Sequence, residues 1–275
     1  MDAAIRGKRA LVTGGTSGIG LGIAIALAKE GADVVVASRH AQREALDRIQ
    51  ASNGRAWWIK ADVSVEAGVE RMIAQAERKM GGVDLFVNNA AGTWHEPITR
   101  LTRRNWQRTL DTNLTACAIA CREVARQMIR RRSGGILIIG STAAHVPLYS
   151  ESSYRVSKAG LKALTEVLAI ELAPFDIRVN LLTPGGFLTP LTEGLPRKQM
   201  GGHYIPLRRL GRVEELANAA VFLLSDQLSS YTTGAELVVD GGFRLRPMDL
   251  LSRPQLIALN SQAPPRADRQ TAGAR

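Results

Sequence analysis

Tyr154 and Lys158 stand four residues apart within Ser152 to Leu172, a segment of helical periodicity, so both side chains fall on one helix face. That pairing bears on proton transfer. A phenol with a pKa of about 10 is a poor base near neutrality, and an ammonium beside it favours the phenolate and lowers that value. Ser141 closes the apolar run Ile136 to Gly140. In a parallel sheet this is the carboxyl end of a strand, where ligands bind.

A second group lies near the amino terminus. Gly14, Gly15, Thr16, Ser17, Gly18, Ile19 and Gly20 separate a strand-like run, Arg9 to Thr13, from a helix expected over Ile19 to Lys29. Glycines at a strand-to-helix turn let the backbone approach a pyrophosphate, and the helix start offers unpaired N–H donors. A tight turn without a ligand is the plainer alternative. The next strand ends in Ser38 and Arg39, about twenty-five residues past the first glycine. A carboxylate there would bind a free ribose 2′-hydroxyl; a small serine and a guanidinium instead suit a 2′-phosphate, which points to NADP(H) over NAD(H). Asp62 and Val63 close the third strand and are placed to meet the adenine, although an aspartate there also serves as a helix cap.

The elements that must position these groups follow one rhythm. Short apolar runs at Arg9 to Thr13, Asp33 to Ser38, Ala56 to Ala61, Asp84 to Val87, Ile136 to Gly140, Ile177 to Leu182 and Glu236 to Val239 alternate with longer amphipathic stretches. Strands that are apolar on both sides belong to a sheet covered on both faces, so the expected fold is α/β, one doubly wound parallel sheet of the Rossmann type. The expected division is a catalytic domain over residues 1–247 and a tail over 248–275, either disordered or packed on a neighbouring subunit.

The 275 residues, 45% hydrophobic and 22% charged, suit one globular α/β domain. No apolar run is long enough to span a membrane and no signal peptide is read. Cys117 and Cys121 share a helix face and suggest no disulfide framework, so a reducing cytoplasm is expected. A net charge of +11 raises nucleic acid as a partner, but the arginines are scattered and not interleaved with aromatics, and no nucleic-acid role is expected. Arg130, Arg131 and Arg132 are read either as a solvated helix end or as a docking spot for an anionic substrate handle.

Taken together, these pieces resemble the short-chain dehydrogenase/reductase family over about Arg6 to Gly242. Thr13-Gly14-x-x-x-Gly18-x-Gly20 matches the family's cofactor turn, Asn88-Asn89-Ala90 its fourth-strand motif, and Asn113, Ser141, Tyr154 and Lys158 its catalytic tetrad. The resemblance implies that Tyr154 exchanges a proton with the substrate oxygen and that Ser141 holds this oxygen. Lys158 would bind the nicotinamide ribose and tune Tyr154, and Asn113 would position a relay water. It also implies cofactor contacts for Asn89, Ala90, Pro184, Gly185 and Thr189, and a homotetramer. One departure is Ala91, which stands where the family most often has glycine and bears on the loop leading to Trp94.

The loops expected around the substrate supply Trp94, His95, Val146, Leu148, Tyr149, Phe187, Leu191 and Tyr204, with His145 and His203 also within them and no metal-ligand pattern. Such a wall favours a bulky apolar alcohol, aldehyde or ketone, terpenoid- or steroid-like. The alternative is a 3-oxoacyl thioester reductase, for which an acyl carrier protein would be a partner. Arg132 stands where such enzymes carry an arginine, but Phe175 stands where they often carry a second. A non-catalytic NADP(H)-binding regulator is the third reading; an intact tetrad argues against it.

Overall fold

The computed structural model describes residues 3–52, 54–190, 192 and 204–245. Seven parallel strands, β1 (Arg9–Thr13), β2 (Asp33–Ser38), β3 (Ala56–Lys60), β4 (Leu85–Asn88), β5 (Gly134–Ile139), β6 (Ile177–Pro184) and β7 (Glu236–Val239), form one sheet in the order β3-β2-β1-β4-β5-β6-β7. Helices α1 (Gly18–Lys29), α2 (Arg43–Gln50), α3 (Glu66–Met80), α4 (Arg103–Leu110), α5 (Ala116–Arg131), α6 (Ser152–Leu172) and α7 (Val213–Leu224) connect them. This is the doubly wound α/β sheet that the alternation of runs predicts.

Alternate residues of each strand point to opposite faces, and each face has its own core. Val12, Val34, Val36 and Leu182 pack with Ile23, Leu27, Leu216 and Leu223 on one side, whereas Leu11, Val35, Phe86 and Val179 pack with Met72, Val124, Met128 and Leu161 on the other. The order reverses at β1, whose neighbours are β2 and β4. Connections leaving β1 and β4 diverge there, and a crevice opens outside their carboxyl ends.

All strand limits agree with the sequence to within two residues, and all but two to within one. β5 starts earlier than expected, because Gly134 and Gly135 pair with Ile177 and Arg178 although no side chain advertises it. β6 runs on to Pro184, and Thr183 and Pro184 pair with Val238 and Val239. The expected tail, together with Leu191 and His203, lies outside the described residues.

Candidate active site

The glycine turn is built for close backbone approach. Gly14 and Gly18 have φ of 64° and 51°, the left-handed region that penalises a side chain. A Cβ on Gly20 would lie 2.3 Å from the Gly14 carbonyl oxygen. Ser17 precedes α1 without capping it through its side chain, so the first-turn N–H groups remain available to an anion. The end of β4 braces this turn: Thr13 Oγ1 accepts from the backbone N–H of Asn89 (2.9 Å) and Ala90 (3.0 Å), and Asn89 Nδ2 donates to the Thr13 carbonyl (2.9 Å). Across the crevice, Thr189 lies within 3.6 Å of where a Gly18 Cβ would be, which brings the segment after β6 over the turn. Thr16 is buried and Ile19 half-buried beside it.

At the far end of the crevice Arg39 is exposed and has no carboxylate partner within ion-pair distance among the described residues. Its charge, with that of Arg108, acts on Asp62. Asp62 Oδ1 accepts from Ser64 Oγ (2.7 Å) and Ser64 N (3.0 Å), and these bonds hold its carboxyl below the usual value. Ser38 is engaged by its own chain, since Oγ donates to the His40 carbonyl (2.7 Å) and accepts from Trp58 Nε1 (2.9 Å). Val63 is half-buried against the core.

Ser141, Tyr154 and Lys158 meet at the carboxyl end of β5. Ser141 Oγ accepts from the Ala143 N–H (3.1 Å), and its side chain stands close enough to Tyr154 to act on the phenol. Burial pushes the Tyr154 phenol above its ordinary pKa; the Ser141 hydroxyl draws it back, and the Glu151 charge adds to the rise. Lys158 is 4% exposed, and burial lowers its pKa to about 8. The causes of the Tyr154 shift are burial, Ser141 and Glu151, and Lys158 is not among them. The Lys158 Nζ donates to the Ile139 carbonyl (2.9 Å) and stands 5.8 Å from the centroid of the Tyr154 ring.

Asn113 sits in a π-helical turn, Asp111–Thr115, between α4 and α5. Such turns break the helix's regular ladder and recur at functional sites. Its amide clasps the Gly92 peptide, with Oδ1 accepting from Gly92 N (2.8 Å) and Nδ2 donating to Gly92 O (2.9 Å), and Nδ2 also reaches Ser157 Oγ (3.0 Å). Asn113 therefore fixes the loop after β4 to the helix that carries Tyr154.

The substrate-side residues divide. Val146 is half-buried and Leu148 is 47% exposed, both on the segment between Ser141 and α6. His95 is exposed, 3.8 Å from Glu151, and Tyr204 is exposed on the segment that leads to α7. Trp94 instead turns toward α4, 4.4 Å beneath the Arg108 guanidinium, and its ring fills the space beside Gly92. Phe187 is 4% exposed, and its ring fills the space left by Gly211, which has no side chain. His145 turns inward to Glu236 (2.6 Å). Arg132 is held by Asp176 (3.3 Å) and the Pro174 carbonyl (3.0 Å), Arg131 by the Val83 carbonyl, and Arg130 lies 3.7 Å from Glu77, while the Arg130 and Arg132 side chains stay largely exposed.

Glu236 is the site-adjacent group the sequence reading missed. Burial pushes its carboxyl up, but hydrogen bonds from His145 and Thr183 and the charges of His145 and Lys162 outweigh this and hold it below its usual value. Its signal in the sequence was a lone carboxylate heading an otherwise apolar strand. Among the described residues no group of three or more metal-ligating side chains converges.

A family model described as enoyl-(acyl carrier protein) reductase matches residues 14–244. The chain is 38% identical over 246 residues to the 3-oxoacyl-(acyl-carrier-protein) reductase FabG of Chlamydia pneumoniae, covering 88% of this chain and 99% of that protein. It is 36% identical over 251 residues to 3beta-hydroxysteroid dehydrogenase 1 of Eggerthella lenta, covering 88% and 96%. The crystal structure of L-sorbose reductase from Gluconobacter frateurii, complexed with NADPH and L-sorbose, superposes with a TM-score of 0.83 at 34% identity, covering 89% of this chain and 99% of that one. A nucleotide crevice of this sheet order, with a serine, tyrosine and lysine at its edge, defines an oxidoreductase acting between alcohol and carbonyl groups. The chain belongs to the short-chain dehydrogenase/reductase family.

Proposed function

We propose that the protein is an NADP(H)-dependent oxidoreductase that interconverts a hydrophobic alcohol and its ketone or aldehyde. The observation that carries the reaction is the convergence of Ser141 and Tyr154 at the carboxyl end of β5, close enough for the serine hydroxyl to draw the phenol's pKa down, with Lys158 one helical turn away. The glycine turn and the uncapped start of α1 fit a dinucleotide pyrophosphate, with Asn89, Ala90, Pro184, Gly185 and Thr189 on the nicotinamide side. When bound, the nicotinamide supplies or receives the hydride. For reduction, Ser141 holds the carbonyl oxygen and Tyr154 gives that oxygen its proton as the carbon becomes that of an alcohol; oxidation returns the proton to Tyr154. Burial keeps the phenol protonated at neutral pH, the form that reduction needs. Lys158 binds the nicotinamide ribose, and Asn113 positions the water that reloads Tyr154.

Arg39 supports NADP(H): it is an exposed guanidinium just past the end of β2, where NAD-binding folds carry a carboxylate, and it makes no ion pair among the described residues. Bound NADPH in the L-sorbose reductase structure agrees with this. Leu148 and Tyr149, 47% and 86% exposed on the segment after Ser141, support an apolar substrate. The similarity to FabG favours a second reading, a 3-oxoacyl thioester reductase served by an acyl carrier protein. The engagement of Arg132 by Asp176 weighs against that arginine as the carrier's anchor. A homotetramer is part of the proposal: α6 exposes Val156 (46%), Val167 (51%) and Ile170 (78%), an apolar row that a neighbouring subunit would cover.

A panel of polycyclic alcohols and ketones, 3-oxoacyl thioesters and sugars, each run with NADPH or NADP⁺ and with NADH or NAD⁺, tests the reading. Turnover of the polycyclic compounds with the phosphorylated cofactor is expected, and Tyr154→Phe is expected to lose at least about a hundredfold in kcat while still binding NADPH. Equal or better turnover with NADH would overturn the assignment of Arg39, and a fully active Tyr154→Phe would overturn the mechanism.

A further inference from the structure

Glu236 opens β7, and the remainder of that strand, Leu237 to Val239, is apolar. Its side chain is only 14% exposed. One oxygen, Oε1, meets both the His145 ring at Nε2 (2.6 Å) and the Thr183 hydroxyl, which donates over 2.7 Å; the other, Oε2, lies 3.7 Å from the Lys162 ammonium. These partners come from three separate elements. His145 follows Ser141 by four residues, Thr183 immediately precedes Pro184 and Gly185, and Lys162 lies one turn beyond Lys158 on α6. A buried carboxylate persists only where its charge and lone pairs are matched, and a fully matched network fixes the groups that match it.

Few other side chains hold the segment after Ser141. Among the described residues, Arg155 Nη1 donates to the Ala143 carbonyl (2.6 Å), and beyond His145 the chain rises into the exposed Leu148 and Tyr149. Thr183 is packed against the strand that delivers Ser141, since a Cβ on Gly140 would come within 2.7 Å of its hydroxyl oxygen. We infer that Glu236 is a positioning residue: through His145 and Thr183 it locks the segment after Ser141 to the segment that begins at Pro184, so that the two walls of the cleft keep one relative placement. That these walls face substrate and nicotinamide rests on the function proposed above; the linkage itself does not.

Hydrogen–deuterium exchange on the full chain tests the linkage directly. The N–H groups of His145 and Val146 donate to the Thr142 carbonyl, and that of Gly185 donates to Val239 O, so each reports on one wall. Glu236→Gln is expected to speed exchange about tenfold at both positions, while amides in β1 and α3 stay as in the parent. His145→Gln and Thr183→Val, which remove one partner each and leave the carboxylate, carry the same test if Glu236→Gln does not fold; each is expected to loosen both walls. For whichever panel ketone the enzyme reduces, KM is expected to rise about tenfold in Glu236→Gln with kcat within about twofold. Glu236→Asp is expected to recover part of that loss. Exchange that quickens at one wall only, or at neither, overturns the inference. If no ketone is turned over, the exchange data still decide the linkage while the proposed function alone fails.

Discussion

Lys158 Nζ donates to the Ile139 carbonyl oxygen over 2.9 Å, so the ammonium on α6 is seated in the protein against the end of β5. With only 4% of the residue exposed, burial disfavours the charge and brings its pKa from 10.5 to about 8. At pH 7 the folded chain therefore carries a charged, dehydrated lysine at a net cost. Lys158→Met removes that cost, less the hydrogen bond to Ile139, and is expected to gain about 1–3 kcal/mol, a rise of roughly 3–8 °C in Tm. Between pH 8 and 10.5 the parent sheds this proton when folded but keeps it when unfolded, so its stability rises with pH and the advantage of the variant shrinks. Melting curves at pH 7, 9 and 10 check both statements; a variant less stable at pH 7 would show that the lysine is stabilising as it sits. Turnover is expected to be lost in the same variant.

The sheet and the pairing of Tyr154 with Lys158 on one helix face were legible because they rest on local signals, whereas Asn113 entered only through the resemblance to the family. Strands covered on both faces need unbroken apolar runs, and Tyr154 and Lys158 are neighbours by helical spacing alone. What escaped depends on contacts distant in sequence or on residues without side chains. Gly134 and Gly135 carry no pattern, so the start of β5 was invisible. The π-helical turn at Asn113 is a change of backbone register that leaves the residue types unaltered. Glu236 meets partners 91 and 53 residues away, which no spacing could reveal. Phe187 occupies a loop, and loops read as exposed; only the bare Gly211 opposite explains why its ring goes inward.

Gly20 is the glycine of the turn with the least room. A methyl group there would lie 2.3 Å from Gly14 O and 2.5 Å from Asn89 Nδ2, so Gly20→Ala must displace both the turn and its brace. Overpacking of this kind costs about 1–3 kcal/mol. The displaced N–H groups should also weaken NADPH binding by at least about tenfold. Calorimetric titration with NADPH and a melting curve read the two effects separately. An alanine variant that binds as the parent does would show that the turn does not contact the cofactor.

Asn113 and Gly92 exchange two hydrogen bonds, and the amide is 1% exposed. Asn113→Ala strands the Gly92 N–H and C=O, at about 2 kcal/mol. Asn113→Asp is the sharper probe: it keeps an acceptor for Gly92 N but turns a second oxygen toward Gly92 O and Ser157 Oγ. The introduced carboxyl is buried beside an acceptor, so its folded pKa is raised, and stability is lost at neutral pH and recovered as pH falls through that raised value. Melting curves at pH 5 and pH 8 distinguish the variants, since only the aspartate should regain stability on acidification. A pH-independent deficit in Asn113→Asp would mean that the clasp with Gly92 does not set the loop.

At the amino ends of the central strands, Arg9 and Asp84 form a two-pronged pair, Nε to Oδ2 (2.7 Å) and Nη2 to Oδ1 (2.5 Å), which joins the starts of β1 and β4. Burial pushes the Asp84 carboxyl up, but the Arg9 hydrogen bonds and the charges of Arg9 and Arg131 outweigh it and hold the group below its usual value. A folded value below the unfolded one means that the stabilisation is fully present above about pH 4 and is lost as pH falls through the folded value. Asp84→Asn leaves Arg9 half-buried without its counter-charge, and a loss of about 2–3 kcal/mol is expected at neutral pH, less than for a fully buried pair because 18% of the carboxylate side chain is still exposed. Urea unfolding of parent and variant should differ by a constant amount from pH 5 to 8 and converge below about pH 4. Because the pair lies away from the crevice, kcat and KM are expected to stay at parent values under conditions where the variant is folded. A gap that persists undiminished at pH 3 would assign the loss to packing of the Asp84 side chain and not to its charge.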